Sequence, residues 1–269
     1  MSAEAPLRAA IEDAVEVRSL LVATDLDGVL APFAREPMDA RPWPGSIDTL
    51  RALADLPGVH VAVVSGRDLE TLRTLTGIAP DEPIVLIGSH GAESSDPAVR
   101  EAMEAAAVTP EDEHRLAELR ADISALIEQE HPRASLEHKA AAVVVHVRGI
   151  DRAEGDAAIA AARERALSHP GVKVLKGKSV LELTVSHADK GSAVTALGRA
   201  VGAGARFYFG DDVTDEDAFV RMRRTHDVTV KVGTGSTAAR HRLDDEEAVA
   251  ACLQTVLRRR RAAEVDESA

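Results

Sequence analysis

Cysteine and aromatic side chains are nearly missing from this chain: its 269 residues hold one Cys, one Trp, one Tyr and four Phe. A single thiol, Cys252, excludes any disulfide within the chain. Its place in the apolar pattern of the last helix reads as a buried structural group. With aromatics at 2%, the cores must be built from Ala, Val, Leu and Ile. Basic charge is also in deficit, with 32 Lys and Arg against 45 Asp and Glu, a net charge of -13. That argues against a nucleic-acid partner, because displacing counterions from a phosphate backbone needs a basic surface. An acidic protein can still bind a small phosphoester where cationic charge is gathered in one cleft. No apolar run approaches the roughly 20 residues that span a bilayer. The N-terminus, MSAEAPLRAAIEDAVEVRS, lacks the basic start and apolar stretch of a secretory signal. The expectation is a cytoplasmic monomer with no membrane partner. The ten histidines show no metal-ligating spacing such as HExxH.

What is present is a rhythm of short continuous apolar runs. Leu20 to Asp25, Val59 to Ser65, Ile84 to Gly88, Arg206 to Gly210 and Val228 to Val232 suit strands buried on both faces. Helical spacing lies at 3–17, 46–56, 69–75, 191–201 and 216–222. Strand and helix in alternation predict an α/β fold with a doubly wound, mostly parallel sheet. The middle third differs, reading as helix-strand-strand twice over. A helix is predicted over 110–129, strands over 134–137 and 141–148 with a tight connection at 138–140, a second helix over 150–167, and strands over 172–175 and 180–184. Such units predict an antiparallel sheet with helices on one face, inserted between the third and fourth core strands. The expected domains are a core over 1–108 and 187–269, and an α+β insert over 109–186.

Four segments carry chemistry. Asp25-Leu26-Asp27-Gly28 ends the first strand, where ligands bind in open α/β sheets. Carboxylates at i and i+2 on an extended chain face one side. Ser65-Gly66-Arg67 puts a hydroxyl after the second strand, and Asp189-Lys190-Gly191 puts a lysine at a helix start, beside free N–H groups. Asp211, Asp212, Asp215, Glu216 and Asp217 crowd seven positions after the fourth strand, a repulsion best relieved by a hard divalent cation. All four fall on one edge of the predicted sheet. Elsewhere, Arg258 to Arg261 reads as a solvated helix end that complements the dipole, and Trp43 as a loop residue packed beside the site.

In this order, the four segments resemble the motifs of the haloacid dehalogenase superfamily of phosphatases, over residues 18–90 and 187–235. More narrowly, the chain is similar to the trehalose-6-phosphate phosphatases. The likeness is carried by Asp25 to Leu30, Ser65-Gly66-Arg67, Gly88 to Glu93 (GSHGAE), Gly210 to Phe219 (GDDVTDEDAF), Glu137-His138-Lys139, His146-Val147-Arg148 and Lys178 to Leu183. Val29 stands where that family more often has Thr, and Val147 where it has Tyr. The resemblance implies that the insert is a cap domain. It implies Mg²⁺-dependent hydrolysis of trehalose 6-phosphate through an aspartyl-phosphate. Sucrose phosphate or mannosyl-phosphoglycerate are the alternative substrates, and an inert regulatory module of a synthase is the remote alternative.

A carboxylate nucleophile splits a difficult hydrolysis into two transfers. Asp25 is expected in that role, with Asp27 as general acid and then general base. Expected metal ligands are the Asp25 side chain, the Asp27 main-chain carbonyl and Asp211. Ser65, Gly66 and Lys190 would hold the phosphoryl oxygens, and Asp212 and Asp215 would orient metal waters and Lys190. The resemblance further implies that Glu137, Lys139 and Glu182 meet the distal sugar, that Arg67, His90 and Arg148 bind substrate nearer the core, and that Lys178 also binds substrate.

Overall fold

A computed structural model describes residues 4–104, 109–139, 141–177, 179–185 and 189–267. The chain divides into two compact units, residues 1–105 with 188–269, and residues 106–187. The first opens with α1 (Glu4–Ala14), β1 (Leu20–Thr24), α2 (Ser46–Ala54), β2 (Val59–Val64), α3 (Leu69–Thr76), β3 (Ile84–Gly88), β4 (Glu93–Ser94) and α4 (Pro97–Glu104). The second unit holds α5 (Pro110–Glu130), β5 (Ser135–Lys139), β6 (Ala142–His146), α6 (Arg152–Ala166), β7 (Lys173–Gly177) and β8 (Val180–Thr184). The first unit resumes with α7 (Lys190–Ala200), β9 (Ala205–Gly210), α8 (Glu216–Arg221), β10 (Val228–Val232), β11 (His241–Leu243) and α9 (Glu246–Glu267).

In the first unit the strands run in the order β11-β10-β9-β1-β2-β3-β4. Pairing is parallel except for β4, which runs antiparallel to β3. Successive strand side chains alternate between faces, and two separate cores follow. Leu20, Val22, Val61, Phe207 and Val230 pack with α1, α2, α3 and α9. Leu21, Ala23, Ala62, Val64 and Tyr208 pack with α4, α7 and α8. The sheet is thus doubly wound, as its apolar runs predicted. Three of the six aromatics fall in β9, where Phe207 stacks on Phe209 at 6.4 Å and Tyr208 meets Phe219 edge-on at 5.8 Å. Helix starts are fixed by side-chain caps: Asp68 accepts from the Thr71 amide and Asp189 from that of Ser192.

The second unit is a four-stranded sheet in the order β5-β6-β8-β7 with antiparallel pairing throughout. Val143, Val145, Leu181 and Leu183 pack against α5 and α6 on one face. Thr109 and Asp112 form a capping box at the start of α5, with Pro110 in the first turn.

The structure corrects three local readings. The ladder extends through His138 and Lys139, with Lys139 opposite Ala142, so the hairpin turns later than the sequence suggested. The β7 ladder likewise continues to Gly177. The arginines at 258–261 lie inside α9, not at its end, and Arg260 is 7% exposed. Its guanidinium donates to the carbonyls of Val15, Val17 and Pro57, tying α9 to two loops. Cys252 is buried, which pushes its thiol up to about 12.

Candidate active site

β1 delivers Asp25 to the C-terminal edge of the sheet, and its amide donates to the Phe209 carbonyl of the neighbouring strand. Asp25 is 4% exposed. Its Oδ1 accepts from the Leu26 amide at 2.6 Å and its Oδ2 from Lys190 Nζ at 2.6 Å. Burial, opposed by Lys190 and reinforced by Asp215 and Asp211, raises its carboxyl well above the usual range. Gly28 then turns the chain with φ +74°, and a Cβ there would lie 2.4 Å from an Asp211 oxygen. Only glycine lets the Asp25 and Asp211 loops approach so closely.

The acidic loop after β9 is organised around Asp215, which is fully buried. Its Oδ2 accepts from the Asp211 and Asp212 amides at 2.9 Å each, and its Oδ1 from Lys190 Nζ and the Tyr208 hydroxyl at 2.8 Å. Burial pushes the Asp215 carboxyl up, but Lys190 and these hydrogen bonds outweigh it and hold it low. For Lys190, burial is likewise outweighed by Asp215 and Asp25, so the ammonium is held charged. Asp211 lacks such direct compensation. Burial, with Asp215 next to it, pushes its carboxyl up to about 7. Asp212 is exposed and accepts from the Val213 amide at 2.6 Å.

Asp27 and Arg67 meet across 40 positions of sequence. Arg67 Nε and Nη2 donate to the two Asp27 oxygens at 2.6 and 2.7 Å, a bidentate pair. Ser65 is buried, and its Oγ accepts from the Arg67 amide at 3.2 Å. The His90 amide donates to the Ser65 carbonyl at 3.0 Å, and its imidazole lies on Gly66. A Cβ at Gly66 would sit 2.5 Å from His90 Cε1, so that glycine makes room for the histidine. Ser89 and His90 both have positive φ, 47° and 55°. Left-handed backbone in two consecutive non-glycine residues is strain of the kind concentrated at functional sites.

In the second unit, register places Glu137, Val144, Glu182 and Leu175 in one row across the sheet. Alternation sets that row on the face opposite α5 and α6. Lys139 Nζ donates to Glu182 at 2.8 Å, and His146 Nε2 lies 2.9 Å from Glu137. Arg148 lies beyond the end of β6 and is exposed. Lys178 lies outside the described residues. Glu137, Lys139 and Glu182 are therefore brought together on one face.

The whole of this arrangement falls within a match to the trehalose-phosphatase family model over residues 23–265. The chain belongs to the trehalose-phosphatase family. It is 36% identical over 234 residues to an uncharacterized glycosyl hydrolase of Mycobacterium tuberculosis, covering 80% of this chain and 17% of that protein. It is 32% identical over 253 residues to the trehalose-phosphate phosphatase of Mycobacterium leprae, covering 90% of this chain and 55% of that one. The chain thus spans about half the length of the second relative and a sixth of the first. The solved C-terminal domain of Candida albicans trehalose-6-phosphate phosphatase shares the fold. Its TM-score is 0.73 at 21% identity, with 93% of this chain and 96% of that one covered.

Members of this family typically carry a metal, and the donor set here fits one. Asp25, Asp211 and Asp215 each bring a carboxylate oxygen within 4.8 Å of the others. Hard oxygen donors in a buried group, two of them with raised pKa values, suit a hard cation that would relieve their repulsion. Sequence reasoning assigned no role to three residues beside the candidate groups. Tyr208 sits in an apolar strand with its hydroxyl on Asp215. His146 lies in a quoted motif, and its pairing with Glu137 depends on register. Lys231 is the third; a lone lysine in the run Val228 to Val232, in a strand buried on both faces, was the available signal.

Proposed function

We propose that this protein hydrolyses trehalose 6-phosphate to trehalose and phosphate, with residues 109–186 serving as its cap domain. The observation that carries the reading is the buried Asp25 carboxylate against Lys190, with the Arg67-held Asp27 two residues on. In this scheme Asp25 attacks phosphorus while the bond to the sugar oxygen breaks, and Asp27 delivers the proton that oxygen needs. A water then attacks the aspartyl-phosphate, giving its proton to Asp27 and freeing Asp25. Both Asp27 oxygens accept from Arg67, so the acid half of the cycle requires that contact to loosen. Lys190 and the Ser65 hydroxyl bind phosphoryl oxygens, with the Gly66 backbone close by. Asp215 acts by holding Lys190 and the loop amides, and Asp212 would help to orient water around the metal.

The metal in this reading is Mg²⁺, held by the Asp25 side chain, the Asp27 main-chain carbonyl and Asp211; when bound, it offsets charge between the nucleophile and the phosphate. Lys139, Glu137 and Glu182, with Lys178, would bind sugar hydroxyls, since ionised groups are strong partners for them. Arg67, His90 and Arg148 would serve nearer the ester. The same reading has the chain act as a cytoplasmic monomer.

Phosphate release from trehalose 6-phosphate, sucrose phosphate, mannosyl-phosphoglycerate and glucose 6-phosphate tests the assignment. We expect trehalose 6-phosphate to lead in kcat/KM by about tenfold or more, the size of a few discriminating contacts. A faster rate on sucrose phosphate or mannosyl-phosphoglycerate would overturn the sugar assignment. No phosphate from any ester would favour a regulatory module.

A further inference from the structure

Lys231 takes no part in the scheme above. It lies in β10, 5% exposed. Val228, Val230 and Val232 belong to the core that includes α1, α2 and α9, so alternation sends Lys231 to the opposite face, that of Tyr208. Parallel register aligns Lys231 with Gly210, the last residue of β9. Its ammonium donates to the main-chain carbonyl of Asp211, the residue that follows.

A lysine is rarely this buried without a partner, because desolvating an ammonium is costly. Stapling a carbonyl does not by itself explain the choice. Arg242 and Arg224 staple carbonyls of Gly235 and Ala203 nearer the surface, and the buried Arg260 staples those of Val15, Val17 and Pro57. What distinguishes Lys231 is where its carbonyl belongs. The Asp211 amide is held by Asp215 and the Asp211 carbonyl by Lys231. The residue is gripped on both sides of its Cα, which fixes the direction in which its side chain leaves the backbone. Charge is also set locally: Lys190 contacts Asp25 and Asp215, and Lys190 and Lys231 both favour the ionised form of Asp211.

We propose that Lys231 is a positioning residue for the metal: by gripping the Asp211 carbonyl it aims the Asp211 carboxylate at the site shared with Asp25, and so sets the affinity for Mg²⁺. The inference rests on the metal site proposed above.

Mg²⁺ titration calorimetry without substrate, on the parent protein, Lys231→Met and Lys231→Arg, tests it. Melting temperatures in EDTA and in saturating Mg²⁺ complete the measurement. Groups that orient metal ligands are typically worth about 10–100-fold in affinity, and we expect Lys231→Met to weaken Mg²⁺ by that much. Its Mg²⁺-induced rise in Tm should shrink accordingly. Lys231→Arg, which keeps a charged donor, should recover most of the affinity. Should Lys231→Met fail to fold, Lys231→Gln gives the same readout with a polar side chain. Folded variants that bind Mg²⁺ as tightly as the parent would overturn the proposal. So would tighter binding, which is what loss of a positive charge alone predicts. A parent protein that binds no Mg²⁺ would instead overturn the metal site itself, so the two failures are distinguishable.

Discussion

The Lys190 side chain is 2% exposed between the side chains of Asp25 and Asp215, which are 6% and 0% exposed. In the other unit, Lys139 and Glu182 pair with 24% and 13% exposed, and His146 and Glu137 with 35% and 51%. Both regions gather opposite charges, yet the physics differs. A buried pair stripped of one partner leaves an uncompensated charge and costs about 3–5 kcal/mol. A fully solvent-exposed pair is worth about 0–1 kcal/mol, and the partly exposed pairs of the second unit lie between these two limits. The first unit is therefore built to hold one geometry, as transferring a phosphoryl group by electrostatic positioning demands. In the proposed function, the polar face of the second unit exchanges these less buried pairs for the hydroxyls of a ligand.

Asp25→Asn attacks the rigid side of this comparison and should have the largest effect. We expect kcat to fall by about four orders of magnitude or more, the scale of losing a catalytic nucleophile. The protein should still fold, as circular dichroism would show. Steady-state hydrolysis within about tenfold of the parent would remove Asp25 from the nucleophile role.

The next test is pH. Asp211 is held up to about 7 by burial and by Asp215, above its unfolded value. Between those values the metal-free fold binds a proton that the unfolded chain does not. The contribution of Asp211 to stability therefore declines as pH rises through about 7. Metal must displace the same proton, so Mg²⁺ affinity should rise about tenfold per pH unit below that value and level off above it. The raised Asp25 carboxyl would steepen the slope. Calorimetric titrations from pH 5.5 to about 8.5 would show this, and a flat profile would contradict the assignment of Asp211 as a ligand.

Much of this molecule was legible in its sequence, for a physical reason. Strands buried on both faces have to be continuous apolar runs, and carboxylates at their ends stand out against them. Asp25, Ser65, Lys190 and Asp211 could be placed on one edge on that basis. The short edge strands Glu93–Ser94 and His241–Leu243 lack any such run, and sequence reasoning assigned neither. The Asp27–Arg67 clamp spans 40 positions and depends on β1 and β2 lying side by side, which no local pattern reports. Arg260 read as a solvated charge because burial of a guanidinium depends on carbonyls from two distant loops. Charged side chains proved hardest to read, since their role depends on which partner the fold supplies.

The central claim is that phosphoryl chemistry belongs to the first unit and sugar selection to the second. The most direct test compares kcat/KM for trehalose 6-phosphate with that for p-nitrophenyl phosphate in Glu137→Ala, Lys139→Ala and Glu182→Ala, with Lys190→Ala as control. Each of the three should lose about 1.5–3 kcal/mol on the sugar ester, the worth of one charged hydrogen bond, and act on the small ester almost as the parent does. Lys190→Ala should impair both substrates alike. Equal losses on both substrates in the three second-unit variants would contradict the account, because those residues would then be supporting the fold or the chemistry rather than choosing the sugar.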